Sequence, residues 1–350
     1  MNTPVVAEFL GQLFRASWQA SVLAVVVWLL ILALGEHLDA RWRCRLWMLV
    51  IVRLAWPVSL PSPVSLFNWV GGPPGFEPGW ESEYYTPSLA LLRLLESSWL
   101  QWTWGFVAAV LMARALAGVV WATWVRWNAR PVDSWEAWWL LQSCKEVIRL
   151  ETSVAILESS AVKSPCLLGI WSPRLVLPKG LLRELSFTEL RMVFLHELAH
   201  LRRRDLVLNW LLAAVEVIHW FNPLVWFVTR RLRADREEDC DALALESEPS
   251  ARRAYGEVII KLIERVTPGL NSLPPAAAVG ILGNREEDIR PLLQRIRAIK
   301  RIGSGHRTWL VGCGTWLVVA LIGFTDAEPG ASRDLAETTS PAHSWVSGKS

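Results

Sequence analysis

The chain has 350 residues, of which 52% are hydrophobic and 23 are tryptophan, and its mean hydropathy is +0.28. This composition excludes an ordinary soluble enzyme and favours an integral membrane protein, because tryptophan rings settle at membrane interfaces. The net charge of +3 is nearly neutral for this length and gives no case for direct binding of nucleic acid. The five cysteines lack CxxC spacing, so neither a disulfide framework nor a cysteine zinc site is expected.

Four apolar stretches are predicted to cross the membrane. They are residues 18–34, 46–60, 100–125 and 308–325, of which the second and the last are short for a hydrocarbon core of about 30 Å. A secretory signal peptide is the alternative for the first stretch, but its flank lacks a basic region, so a retained anchor is favoured. The sequence therefore predicts an N-terminal membrane region over residues 1–125, a domain over 126–307 and a last span before a disordered tail over 326–350.

Basic residues predict the orientation of these spans. Arg41, Arg43 and Arg45 crowd the first connection, whereas the loop over residues 61–98 carries four Glu and one Arg. The positive-inside rule places the first connection in the cytoplasm, and the N-terminus, the 61–98 loop and the C-terminal tail outside. A basic amphipathic helix at 289–301 is suited to lie on the lipid of the inner leaflet, with packing on the 126–307 domain as the alternative.

Residues 186–200 predict a helix that carries a metal-binding motif. Ser186 followed by Glu189 is a capping-box pattern, and apolar residues then recur at helical spacing. His196 and His200 lie four residues apart, so both imidazoles face one side of the helix and can bind one Zn²⁺ ion. Glu197 then lies beside the water that such a metal activates, where a carboxylate can accept a proton. The alternative is two chance histidines, because the bare HExxH pattern also occurs without function.

The apolar run at residues 206–228 is long enough to cross the membrane, yet a helical hairpin is the better interpretation. A single crossing would place all later residues on the opposite side from His196 and His200, so none of them could complete a metal site. Asn222 followed by Pro223 favours the hairpin, because Asn is a good N-cap and Pro suits the first helical turn. The hairpin would enter or abut the membrane and return to the cytoplasmic side.

The second helix of this hairpin carries the candidate third ligand. Arg233, Glu237 and Asp241 share one helical face at four-residue spacing. Glu237 is the natural third zinc ligand, and Asp241 is placed to accept the second N–H of a ligand histidine and so fix its tautomer. The alternative for both carboxylates is a solvated face of Arg–Glu–Asp ion pairs.

As an ordered set, these motifs resemble the BlaR/MecR-type family of membrane-anchored regulatory zinc peptidases, the beta-lactam sensor-transducers and their relatives. The resemblance covers most of residues 15–325, and its strongest segments are SPCLLG at 164–169, PRLVLP at 173–178, HELAHLRRRD at 196–205, WFNPLVW at 220–226 and REEDCD at 236–241. It implies that His196, His200 and Glu237 bind zinc and that Glu197 is the catalytic base. Asp205 is the last residue of the third segment. Like Asp241, it is a candidate to orient a metal ligand without binding the metal itself.

The resemblance also implies the fold and the function. The expected fold is a mainly α integral membrane protein with about four transmembrane helices and a gluzincin-like α+β zinc peptidase domain. The expected function is a zinc metalloendopeptidase of the inner membrane that cleaves itself or a cytoplasmic transcriptional repressor of winged-helix type after a signal from outside. About 25 residues follow the last span, too few for the penicillin-binding domain of the beta-lactam-sensing members. The signal is therefore expected through residues 61–98 or a separate sensor protein.

Two other functions stay open at this point. A membrane quality-control peptidase of the prenyl-peptidase or heat-shock groups also combines HExxH with a later Glu-x-x-x-Asp, and a non-catalytic membrane transducer or scaffold would keep the fold without turnover.

The substrate contacts are also open. Strand-like residues at 152–158 and 174–177 predict a small sheet, whose edge is a candidate for binding an extended peptide or is simply part of the core. Tyr255 and His219 are candidates by type for stabilising an oxyanion, and neither is assigned.

Overall fold

The computed structural model of the chain describes residues 3–56, 60–61, 66, 76–78, 85–87, 93–266 and 307–326. The predictions for the basic helix at 289–301 and for the tail over 326–350 lie outside these residues, apart from residue 326 itself. Most of the 61–98 loop is outside them as well. The fold is described below for these residues alone.

Most of the described residues are helical. The helices are α1 (Thr3–Leu34), α2 (Ala40–Ala55), α3 (Ser98–Asn128), α4 (Trp135–Val147), α5 (Leu181–Glu184), α6 (Phe187–Arg202), α7 (Asp205–Ile218), α8 (Pro223–Ser247), α9 (Arg252–Val266) and α10 (Arg307–Gly323). The strands are β1 (Leu60–Pro61), β2 (Phe76–Pro78), β3 (Tyr85–Pro87), β4 (Arg130–Pro131), β5 (Ala155–Ser159), β6 (Cys166–Leu168), β7 (Arg174–Pro178) and β8 (Thr325–Asp326).

Two of the helices are long and apolar enough to cross a membrane, by length and composition. They are Val6–Leu34 within α1 and all of α3. Helix α3 exposes Trp99 and Trp102 near its start and Trp124 and Trp127 near its end, as expected where a span meets two interfaces. The other two predicted spans correspond to the shorter helices α2 and α10, with 16 and 17 residues.

The described chain divides into two compact units, and the first comprises Met1–Gly35, Arg45–Gly105 and Val311–Ser350. Arg53 of α2 is fully buried in this unit and donates to Gln19 Oε1 on α1 at 2.6 Å. The charge in the predicted second span therefore faces another helix, as intramembrane charges usually do. Strands β1 and β8 pair in parallel, and β2 and β3 form an antiparallel pair.

The second unit comprises Glu36–Cys44 and Phe106–Leu310 and includes the predicted peptidase domain. Its sheet has the order β4-β5-β7-β6, in which β5 and β7 are parallel and both outer pairs are antiparallel. Val125 near the end of α3 is fully buried against Leu157 and Val176 of the sheet. Because of this packing, the end of α3 belongs to the second unit.

Helix α6 lies in the core of the second unit, where its buried residues pack with α4, β7, α8 and α9. The predicted capping box at its start is confirmed. Ser186 Oγ accepts a hydrogen bond from the backbone N–H of Glu189, and the Glu189 carboxylate accepts one from the N–H of Ser186 at 2.7 Å. Lys261 of α9 pairs with the same carboxylate at 2.5 Å. The helix that carries the HExxH motif is thus held at its N-terminus by both local and tertiary contacts.

Helices α7 and α8 form the predicted hairpin. Helix α7 ends at Ile218, and Asn222 caps α8 by accepting a hydrogen bond from the N–H of Leu224 at 2.9 Å. Arg233 of α8 pairs with Glu216 of α7 at 2.9 Å. Helix α8 continues well beyond the apolar run, and this length brings Glu237 back to the end of α6.

Candidate metal centre

Three side chains converge between α6 and α8. His196 Nε2 and His200 Nε2 are 3.3 Å apart. The two carboxylate oxygens of Glu237 lie 3.5 Å from His196 Nε2 and 3.6 Å from His200 Nε2. The structure therefore brings together the three residues that the sequence singles out as metal ligands. Arg233, which shares a helical face with Glu237 in sequence, pairs with Glu216 of α7 at 2.9 Å.

The separations between these donor atoms fit a tetrahedral zinc site. Zinc bonds to histidine nitrogen and carboxylate oxygen are about 2.0–2.2 Å long, which places neighbouring tetrahedral ligand atoms about 3.4 Å apart. The three observed separations of 3.3, 3.5 and 3.6 Å agree with this spacing. Two imidazoles and one carboxylate also form a donor set that suits zinc and leaves a fourth position for water.

Each histidine is oriented by a buried carboxylate on its other ring nitrogen. His200 Nδ1 lies 2.7 Å from Asp205 Oδ2, and His196 Nδ1 lies 3.0 Å from Asp241 Oδ1. Asp205 is 3% exposed and Asp241 is fully buried. A carboxylate that accepts from Nδ1–H leaves the Nε2 lone pair for a metal, so the contacts select the tautomers that the site needs.

Asp205 is kept ionised by its surroundings. Arg236 Nε lies 3.3 Å and Arg203 Nε 3.6 Å from its Oδ1 atom. Burial by itself raises the pKa of Asp205, but the hydrogen bond with His200 and the charges of Arg236 and Arg203 together bring that pKa below its ordinary value. The ionised form is the acceptor that the Nδ1–H of His200 requires.

Glu197 is half-buried next to His196 in the sequence, and within the described ranges it forms no hydrogen bond or ion pair. Its surroundings include the outer strand β6, because burial and the charge of Glu197 raise the pKa of the Cys166 thiol to about 12. The Glu197 carboxylate therefore supports no other described residue by a hydrogen bond or an ion pair. It lies near the outer strand β6 of the sheet.

Cys240 also lies beside the ligands, with its sulfur 3.4 Å from His200 Nδ1 and 3.9 Å from Asp205 Oδ2. His200, Asp205 and Cys240 thus form a second group of possible donor atoms. Burial and the charges of Asp205 and Glu237 raise the pKa of the Cys240 thiol well above its ordinary value. The sulfur lies on the Nδ1 side of His200, next to Asp205, and so the structure supports packing as the role of Cys240.

Tyr255 contacts both His196 and the carboxylate that supports it. It is 2% exposed, and its hydroxyl donates to Asp241 Oδ1 at 2.5 Å and lies 2.9 Å from His196 Nδ1. This position is on the Nδ1 side of the His196 ring and not on the Nε2 side.

His219 is buried in the hairpin turn at the other end of α7 from Asp205, about 20 Å along the helix. Neither residue is therefore placed to stabilise an oxyanion at the Nε2 atoms.

Comparison with known proteins gives consistent matches over this region. The family model described as BlaR1 peptidase M56 matches residues 83–287, more than half of the chain. Regulatory protein BlaR1 of Bacillus licheniformis is 35% identical over 138 residues, which are 39% of this chain and 23% of that protein. The methicillin resistance mecR1 protein of Staphylococcus aureus (strain Mu50 / ATCC 700699) is 27% identical over 138 residues, or 39% and 24%. The aligned part spans about a quarter of the length of these curated relatives.

Proposed function

Because the chain belongs to the BlaR1 peptidase M56 family, we propose that it is a membrane-anchored zinc metalloendopeptidase of a signalling pathway. It cleaves itself, a cytoplasmic transcriptional repressor of winged-helix type, or both, in response to an extracytoplasmic signal received directly or through a separate sensor protein. The observation that carries the proposal is the tetrahedral spacing of donor atoms from His196, His200 and Glu237. The regulatory protein among the relatives supports the signalling context.

The proposed chemistry uses the residues of the site in separate roles. His196 and His200 would hold zinc through Nε2, and Glu237 would hold it through its carboxylate. Zinc, when bound, supplies Lewis acidity that polarises a peptide carbonyl and makes water more acidic. Glu197 accepts a proton from the attacking water and later delivers it to the leaving amine. Asp205 and Asp241 keep the two imidazoles in the tautomers that bind a metal.

The substrate peptide is proposed to bind in extended form along β6. This strand is at one end of the four-stranded sheet. Burial and the charge of Glu197 both raise the pKa of the Cys166 thiol within it, which indicates that Glu197 is nearby. A peptide added to the outer edge of β6, which pairs only with β7 among the described residues, would run past the catalytic carboxylate, and its backbone would supply the hydrogen bonds of binding. The buried side chains of Leu167 and Leu168 anchor this strand in the core.

We place the protein in the cytoplasmic membrane as a multi-pass protein with four spans and its peptidase site on the cytoplasmic side. Helices α1 and α3 support two of these spans. The hairpin contacts the membrane in this proposal, supported by the exposed apolar side chains of Val207, Trp210 and Phe221. Under this topology, the gluzincin-like domain receives Glu237 from the same side of the membrane as the two histidines.

Removal of the metal is expected to stop proteolysis reversibly. The full-length protein, purified in detergent, is expected to contain one zinc per chain by elemental analysis and to cleave itself during incubation. Dialysis against a chelator should abolish the cleavage, and added zinc should restore it. Absence of zinc from the purified protein, or cleavage that continues unchanged after the metal is removed, would overturn the proposed function.

Substitution of Tyr255 by Phe is expected to weaken zinc binding on the order of 10-fold, because supporting contacts behind a ligand histidine contribute to affinity on that scale. The change removes the hydroxyl that contacts Asp241 and His196. Zinc affinity measured by competition with a fluorescent chelator checks this. Unchanged affinity with a lower kcat would instead indicate a role in stabilising the oxyanion, contrary to the position of Tyr255.

A further inference from the structure

We propose that Arg43 is a positioning residue of the metal centre. It binds α8 at a residue that precedes Glu237 in sequence and at a residue that follows it, and so sets the position of the Glu237 carboxylate. The inference rests on the proposed zinc site and deepens it by naming a control point. Arg43 lies in the first turn of α2, in the connection that the sequence places in the cytoplasm between the first two spans.

The guanidinium of Arg43 makes three short contacts. Its Nε atom donates to Asp235 Oδ1 at 2.7 Å, Nη2 donates to Glu238 Oε2 at 2.6 Å, and Nη1 donates to the carbonyl of Leu38 at 2.9 Å. The Arg43 side chain is only 16% exposed and that of Asp235 14%. Charge-assisted bonds from a fixed planar fork in a largely buried place belong to the strong class, unlike mobile surface ion pairs.

The two carboxylates bracket Glu237 in sequence and lie on another side of α8. With about 100° of rotation per residue, Asp235 and Glu238 point roughly 100–160° away from Glu237 around the helix axis. A clamp on that side opposes rotation of α8 about its axis. Such rotation is the movement that would take Glu237 away from His196 and His200, which are held on a different helix.

The same connection also reaches the other ligand helix. Arg41 Nε lies 3.5 Å from Asp239 Oδ1, and Asp239 also pairs with Arg203 just after α6. Arg203 in turn lies 3.6 Å from Asp205, the carboxylate that orients His200. Contacts from the residues before Cys44 therefore extend to both elements that supply metal ligands.

The metal centre is accordingly complete only while this connection is docked on α8. Arg43 also lies in the first turn of α2, the helix that continues along the chain into the predicted second span. A displacement of α2 would act on Asp235 and Glu238 first and on Glu237 through them. Catalytic and metal sites are sensitive to such shifts, since a misplacement of about 1 Å costs on the order of 100-fold in rate.

The test compares zinc affinity and self-cleavage among full-length variants in one detergent. Arg43→Ala is expected to lower zinc affinity on the order of 10-fold, and Arg43→Lys by less, because lysine keeps the charge without the fork. Arg230→Ala removes an exposed charge from α8, the helix that Arg43 contacts, and is the matched control, expected to bind zinc like the wild type. Arg43→Asp combined with Asp235→Arg exchanges the partners and is expected to recover most of the affinity that Arg43→Asp alone loses.

The outcomes separate this inference from the proposed function. Wild-type zinc affinity and cleavage in Arg43→Ala would overturn the role of Arg43 and leave the zinc peptidase in place. A loss in Arg43→Asp with no recovery in the exchanged protein would also overturn it, because a general loss of folding then explains the effect. A wild-type protein that binds no zinc would overturn the proposed function, and this inference with it.

Discussion

Replacement of Glu197 by Gln is expected to reduce proteolysis about 1,000-fold or more while one zinc per chain remains bound. Gln has the same shape but cannot accept the proton of the attacking water, and general acid–base catalysis contributes on the order of 100- to 10,000-fold. Because Glu197 makes no hydrogen bond or ion pair within the described ranges, the fold should not depend on its charge. Self-cleavage followed over time on gels, together with elemental analysis of zinc, checks both parts.

The control for this variant is Glu151→Gln, which removes an exposed carboxylate from the loop before β5. It should cleave and bind zinc like the wild type. Wild-type cleavage by Glu197→Gln would rule out this residue as the base. If the wild-type protein binds zinc but cleaves neither itself nor any co-expressed repressor, the non-catalytic transducer becomes the better description of the molecule.

Substitution of Glu237 by Ala is expected to lower zinc affinity by more than about 100-fold, and cleavage should be lost with the metal. Substitution of a residue that only orients a metal ligand lowers metal affinity on the order of 10- to 100-fold. Loss of a direct ligand should lower the affinity by more than this. Both carboxylate oxygens of Glu237 face the Nε2 atoms of the two histidines. The alanine variant has neither oxygen and therefore offers no ligand atom at this position. Chelator competition measures the affinity.

The pair of variants also tests the hairpin. Glu237 can reach His196 and His200 only if α7 and α8 return to the side of the membrane on which α6 lies. Zinc loss in Glu237→Ala with normal metal content in Glu197→Gln and Glu151→Gln would support that topology. Full zinc retention by Glu237→Ala would mean that another residue is the third ligand, and the hairpin would lose its main functional support.

Local signals predict much of the peptidase unit. Ser186 and Glu189 cap α6 as their spacing predicts, and Asn222 with Pro223 starts α8. Such contacts lie within a few residues in the chain, so they can be read without knowing the fold. The strands at β5 and β7 are also predicted to within a few residues, but their parallel pairing is not, because it depends on the segment between them.

The sequence by itself therefore determined the residues of the candidate centre: two histidines one helical turn apart, a carboxylate between them, and a second acidic residue beyond a capped hairpin. The tertiary structure alone decided which carboxylate supports which imidazole, that Tyr255 lies behind His196, and that Arg43 binds α8 across 192 residues of chain. The physical reason is range. Caps and helical faces depend on neighbours in sequence, whereas buried ion pairs depend on where distant elements pack, and no periodicity in the chain encodes that distance.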